Sequence, residues 1–199
     1  MANRNSAGFG FRQSGTLGNT PANQGLSQYW IDSAASVDLF NGMAMKSSGG
    51  YMITGESATT VTTIGVLYGI YYNAASTNKP TWAHWYDATI TPANSEDTQA
   101  FVNDYPFQKY TIASDAAVAA DVPAAHVKFM ETFSVNANTG GSTSTGRSTT
   151  SLEIATTHAT THSWRLLRSA EETENSDLTA AYCSLEVVSN LSEFVGSGT

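Results

Sequence analysis

The sequence is poor in the residues that most chemistry requires. A single cysteine, Cys183, among 199 residues excludes an internal disulfide. Its setting in AYCSLEVV reads as a small buried hydrophobe rather than a thiol nucleophile. Lys and Arg number only 9 against 17 Asp and Glu, a net charge of −8. A chain of that sign is repelled by phosphate backbones, so a nucleic-acid partner is not expected. No apolar run approaches the length of a membrane span, and the N-terminus shows no apolar signal core. The expectation is a protein made and folded in a cytoplasm, with no membrane partner. Walker, GxGxxG, CxxC and calcium-loop patterns are all missing, so nothing calls for a cofactor and no catalytic residue is assigned.

What the chain does have is strand-forming material. Ser and Thr make up about a quarter of it, and Tyr, Phe, Trp and Val are plentiful while Lys is scarce. Its length suits one domain with room for a real core. Residues 1–27 are rich in Gly, Asn and Ser and have no periodicity, which predicts an extended N-terminal arm outside the main core. Residues 28–199 form the predicted β domain, ending in a short C-terminal tail. In it, QYWID, VDLF, MAMK and YMIT follow one another, split by Asn41–Gly42 and by SSGG at 47–50. TTIGVLYGIYY alternates, with Ile64, Val66, Tyr68, Ile70 and Tyr72 on one face. Its glycines, Gly65 and Gly69, leave room for a ring or a backbone to approach. HVKFMETFSV alternates too, and TQAFVND, FQKYTIA, SLEIATT, SWRLLR and AAYCSLEVV are further strand candidates. A short helix is predicted near 115–121, and 137–146 reads as an exposed hairpin loop that buries nothing. The fold expected is mainly β: an antiparallel β sandwich or barrel of about ten strands, with one short helix and the arm.

Two clusters invite a function. His158 and His162 in HATTH mimic the i,i+4 pair of helical zinc sites. In an extended strand, four residues span about 13 Å, too far for two ligands of one ion. No Glu lies between them, so the reading is surface histidines and no metal. KPTWAHWY sets Trp82, Trp85 and Tyr86 close together. They form either a surface aromatic platform for sugars or bases, or anchors that hold a loop to the core.

Several stretches together resemble a family of small virion structural proteins of tailed bacteriophages, common among marine phages and described as capsid decoration proteins. They are GFRQSGTLGN, VDLFNGMAMK with GGYMITG, and IGVLYGIYYNAASTNKPTWAHWY. AFVNDYPFQKYTIASDAAVAA and STGRSTTSLEIATTHATTHSWRLLR follow in the same order, so the likeness runs from about residue 9 to 190. The ending VVSNLSEFVGSGT departs from the short polar terminus of that family.

The resemblance implies a non-enzymatic cement protein, assembled in the host cytoplasm as a homotrimer. Its location would be the virion, on the capsid surface, and its partner the major capsid protein. In that setting the arm binds the shell or a neighbouring protomer by strand addition. Phe9 and Phe11, projecting to one side of an extended chain, would be the anchors, with Arg12 beside a shell carboxylate and Leu17 as a further contact. The alternative is another virion component: a tail, head-completion or host-glycan-binding protein.

Overall fold

The computed structural model describes residues 2–19, 25–55, 62–136, 138, 140–155 and 159–197. The longer strands of the first half are β1 (Arg12–Thr16), β2 (Ser27–Ile31), β3 (Ala44–Ser48), β4 (Tyr51–Thr54), β5 (Gly65–Ala74), β6 (Lys79–Ala83), β7 (Thr98–Asn103) and β8 (Gln108–Ala113). Five short strands follow, β9 (Thr132–Phe133), β10 (Val135–Asn136), β11 (Gly141–Ser142), β12 (Arg147–Ser148) and β13 (Ser151–Leu152), of which β10 pairs with β13 and β11 with β12. The chain then runs through β14 (Trp164–Ser169), β15 (Ser184–Ser189), β16 (Leu191–Ser192) and β17 (Gly196–Ser197). One α-helix is described, α1 (Val122–Val127).

The fold is mainly β, as expected, with two antiparallel sheets in a sandwich-like arrangement. The first sheet has the order β1-β8-β15-β14-β9. The second runs β2-β7-β5-β3-β4, with β6 also paired to β5. Apolar residues pair across each ladder: Leu185 faces Ile112, and Val187 faces both Tyr110 and Leu166. These side chains form one core with Trp164, Phe133, Leu152, Ile154 and Cys183, and Ala44 and Val66 enter it from the second sheet. A second core gathers Ile31, Met43, Met45, Leu67, Ile70, Ala100 and Val102 with Leu39, Phe40 and Tyr86. Strand β4 also lies against β2, so the second sheet curls around this core.

Local departures from the expected pattern have local causes. The register of β5 slips between Leu67 and Gly69, a β-bulge at Tyr68. The extra residue changes the phase, so Leu67 and Ile70 both enter the second core while Tyr68 turns outward. The amide of Asn41 donates to the Tyr68 carbonyl at the bulge. HVKFMETFSV is not one strand. His126 and Val127 end α1, a turn follows, and only Thr132–Phe133 and Val135–Asn136 are extended.

The helix begins at Val122, just after the expected segment. Asp121 caps it through a hydrogen bond from the Ala124 N–H at 2.8 Å. Pro123 lies in its first turn, where a missing N–H costs nothing. The 137–146 segment holds β11 and the turn of its hairpin with β12, which follows it, but the segment buries Asn138. The Asn138 side chain takes the Ala44 N–H at 3.2 Å and donates to the Ala44 carbonyl at 3.1 Å and to Thr54 Oγ1 at 3.0 Å. The C-terminal stretch folds back: Glu193 accepts the Ser47 N–H at 2.9 Å, and β16 pairs with β17.

The largest departure is the arm. From residue 2 to Leu17 it is extended but packed on the body, and β1 is an edge strand of the first sheet, paired with β8. Asn3 donates to the carbonyls of Asp177, Ala180 and Ala181 at 2.9–3.2 Å and accepts the Asp177 N–H at 3.0 Å. Among its described residues the arm is therefore not outside the core, because its partners lie far along the chain; residues 1 and 20–24 of the expected arm lie outside the described residues.

Candidate functional site

The outer faces of the two sheets have opposite chemistry. Across the first, the register sets Arg12 opposite Thr111, Thr111 opposite Glu186, and Glu186 opposite Arg168. The Glu186 carboxylate takes Arg168 Nε at 2.8 Å and lies 3.6 Å from Lys109 Nζ. This is a polar, charge-paired face on which Glu186 and Thr111 are themselves buried. Across the second, Trp30 faces Gln99, Gln99 faces Tyr71, and Tyr71 faces Trp82. Three aromatic rings and one amide thus make a row over four strands.

Trp82 is 44% exposed and lies 4.9 Å from Phe101 and 6.4 Å from Tyr68, ring centre to ring centre. The ring passes over Gly69, where an added Cβ would come within 2.6 Å of Trp82 Cζ2. The glycine in β5 does admit a close ring, as the sequence suggested. At the other end of the row, Trp30 is 48% exposed beside a cleft of about 570 Å³. Tyr51, Tyr71, Asn73, Glu96, Asp97 and Gln99 contribute to its lining. Asp97 is fixed by the Ser33 N–H at 3.0 Å and by the Tyr51 hydroxyl at 3.1 Å, a bond that raises the Tyr51 pKa. Between the lining residues Pro92 and Glu96, Asn94 and Ser95 both have left-handed backbones, with φ of 58° and 55°. Such conformations in non-glycine residues are costly and concentrate at functional sites.

The expected aromatic platform is therefore divided. Trp82 belongs to the outer row. Trp85 stacks on Phe40 at 5.1 Å, and Tyr86 is buried with its hydroxyl on the Ala35 carbonyl at 3.2 Å. These two are anchors of the second core. The residues that sequence reasoning missed, Trp30, Tyr51, Tyr71 and Gln99, lie on four other strands, β2, β4, β5 and β7. Alternation in QYWID, with Ile31 inward and Trp30 outward, was the one available signal.

The expected capsid anchors are also separated. Gly10 has φ +74°, which breaks the extended alternation, so Phe9 and Phe11 do not project together. Phe11 is only 4% exposed, its ring 4.1 Å from Trp164 and 5.7 Å from Tyr110. It is a residue of the protein's own core and not available to a shell. Phe9 is half-buried beneath the Arg12 guanidinium, 3.9 Å from ring centre to Cζ. Arg12 itself is exposed, and its pKa is lowered by partial burial and by the nearby Arg147. Leu17 is half-buried, its N–H on the Phe107 carbonyl at 3.0 Å. Phe107 (49% exposed) and Tyr105 (40% exposed) meet edge to face there, at 5.8 Å. Arg12 and Leu17 therefore flank a sheet edge that, among the described residues, pairs with no further strand.

Of the paired histidines, His158 lies outside the described residues. His162 is buried, not on the surface, with Nδ1 3.2 Å from the Thr132 carbonyl. Its turn closes on itself through the Ala159 carbonyl, which also accepts the Thr132 hydroxyl and so ties the turn to β9. His84 and His126 are exposed. Among the described residues, no group of three or more His, Cys, Asp or Glu is placed to hold a metal ion, and no helix is long and apolar enough to cross a membrane. No protein-family model, curated protein or solved structure matches this chain.

Proposed function

We propose that this protein is a non-enzymatic decoration protein of a tailed-phage head, binding the major capsid protein on the outer shell as a homotrimer. The family resemblance from residue 9 to 190 supports the reading. One structural observation carries it: among the described residues β1 is an edge strand of the first sheet, with Arg12 near one end and the exposed Tyr105–Phe107 pair beside Leu17 near the other. An edge strand is where a partner strand can be added, and exposed aromatics beside it supply the apolar contact that such pairing needs. The arm thus contributes an edge where the sequence suggested two buried anchors. Several such edges per trimer would act together through effective concentration.

Cosedimentation with purified heads that lack the protein tests this. The parent protein is expected to pellet with heads. The double substitution Tyr105→Ala and Phe107→Ala, at exposed positions, should leave the melting temperature nearly unchanged. Head affinity should fall by tenfold or more, the loss expected for aromatic hot spots worth about 2 kcal/mol. Undiminished binding by that variant would remove this edge from the interface.

A further inference from the structure

We propose that the cleft beside Trp30 binds a neutral saccharide. The volume of about 570 Å³ is that of a small-ligand site, and fits one or two pyranose rings. Its walls combine what a sugar requires. Trp30, Tyr51 and Tyr71 offer flat rings against which the C–H face of a pyranose packs. Gln99 and Asn73 carry amides, each with a carbonyl that accepts and an NH₂ that donates. A sugar hydroxyl also does both, so amides match it at every rotation.

The register aims these groups together. Trp30, Gln99 and Tyr71 are direct cross-strand neighbours on one face, about 5 Å from each to the next. This places an amide between two aromatic rings, on strands of a rigid sheet rather than on a loop.

Electrostatics selects the neutral class. The lining contains Glu96 and Asp97 and no Lys, Arg or His, so sialylated or sulfated glycans are repelled. A cationic ligand is the competing occupant, since rings with carboxylates also hold ammonium groups. Each Asp97 oxygen already accepts one hydrogen bond, from the Ser33 N–H and from the Tyr51 hydroxyl, which offsets part of its pull on a cation. Moreover an ammonium has no acceptor, so it would leave the donor halves of the two amides unused. The neutral saccharide satisfies all of them.

The test uses the intact protein on a printed array of neutral, sialylated and sulfated oligosaccharides, followed by titration calorimetry with the best neutral ligand. Neutral oligosaccharides should bind. Trp30→Ala, Tyr71→Ala and Gln99→Glu should each weaken binding by roughly tenfold or more. Melting temperatures reported alongside separate lost binding from lost fold, and Trp30, being half exposed, can be removed without opening the core. Three results overturn the proposal: no neutral oligosaccharide bound, preference for the acidic glycans, or variants binding as tightly as the parent. Choline or N-acetyl-lysine methyl ester competing at equal affinity would identify the cleft as a cation site and also overturn it. Head binding through the β1 edge is measured separately and does not depend on this outcome.

Discussion

At the scale of single residues, Cys183 shows how a side chain is silenced by its surroundings. It is fully buried, its Sγ 3.3 Å from Ser114 Oγ, and that same hydroxyl accepts the Cys183 N–H at 3.2 Å. The Ser114 N–H in turn donates to the Cys183 carbonyl at 3.0 Å, so two strands are clasped by one small unit. Burial pushes the thiol pKa up, which lowers the thiolate fraction at neutral pH. Both effects oppose alkylation. Because the chain has one cysteine, labelling reports this site alone. At pH 8 the folded protein should react with Ellman's reagent about a thousandfold or more slower than free cysteine, at a rate set by opening of the core. Fast labelling without unfolding would contradict the clasp. The burial of Cys183 was legible in AYCSLEVV, where alternation puts Cys183, Leu185 and Val187 on one side. The state of Phe11 was not legible, because its neighbours Tyr110 and Trp164 lie about 100 and 150 residues away, and nothing local to GFGFRQ identifies them.

At the scale of elements, the strands were read well and their faces less so. QYWID, MAMK, YMIT, TQAFVND, FQKYTIA and SWRLLR each hold a strand, and AAYCSLEVV does from Ser184, since β-branched and aromatic runs between turn residues leave few alternatives. VDLF gives only a bridge from Leu39 to Tyr86, and the described part of SLEIATT only Ser151–Leu152. The bulge at Tyr68 was hidden, since alternation is blind to an inserted residue until the partner strand is known. The candidate cleft was hidden for a related reason: Trp30, Tyr71 and Gln99 are adjacent only through register. The arm is the clearest case. It looks unstructured because Gly, Asn and Ser do not form a core, yet they permit close backbone approach. The Gly10 N–H meets the Thr150 carbonyl at 3.0 Å, and the Phe11 N–H meets that of Gly42 at 2.9 Å. Deleting residues 1–16 should therefore destabilise the whole domain, not release a folded head-binding mutant. Phe11→Ala alone should cost about 3–5 kcal/mol, as for other buried phenylalanines, measured by urea denaturation. A truncated chain that melts with the parent would place the arm back outside the core.

At the scale of the whole molecule, the pKa values of Tyr110, Tyr29 and Cys183 all shift upward, and this bears on how the fold responds to alkali. Burial raises the pKa of Tyr110, whose hydroxyl donates to the Asn103 carbonyl at 3.2 Å. Burial and a hydrogen bond to Asp104 at 2.7 Å raise that of Tyr29. Cys183 moves the same way. Each is neutral when protonated and has a higher pKa folded than unfolded. Their contribution is complete below the unfolded values, about 8.5 for thiol and about 10 for phenol, and is lost as pH rises beyond them. On the acid side, the Thr179 hydroxyl and N–H help hold Asp177 down to about 2, but this carboxylate lies at the surface and carries little stability. The urea midpoint should thus fall between pH 7 and pH 10.5. Self-repulsion also grows there, since the chain already carries −8 at pH 7. Tyr110→Phe isolates the share of one buried phenol. At pH 7 this variant loses one buried hydrogen bond and should be less stable than the parent by about 1 kcal/mol. At pH 10.5 the parent must keep a buried phenol protonated while its unfolded chain ionises freely, and the variant, with no hydroxyl at that position, has no such burden. The gap between the two proteins should therefore narrow or reverse at pH 10.5. If both midpoints decline in parallel, the Tyr110 phenol contributes nothing to the alkaline loss, which then falls to self-repulsion, Tyr29 and Cys183.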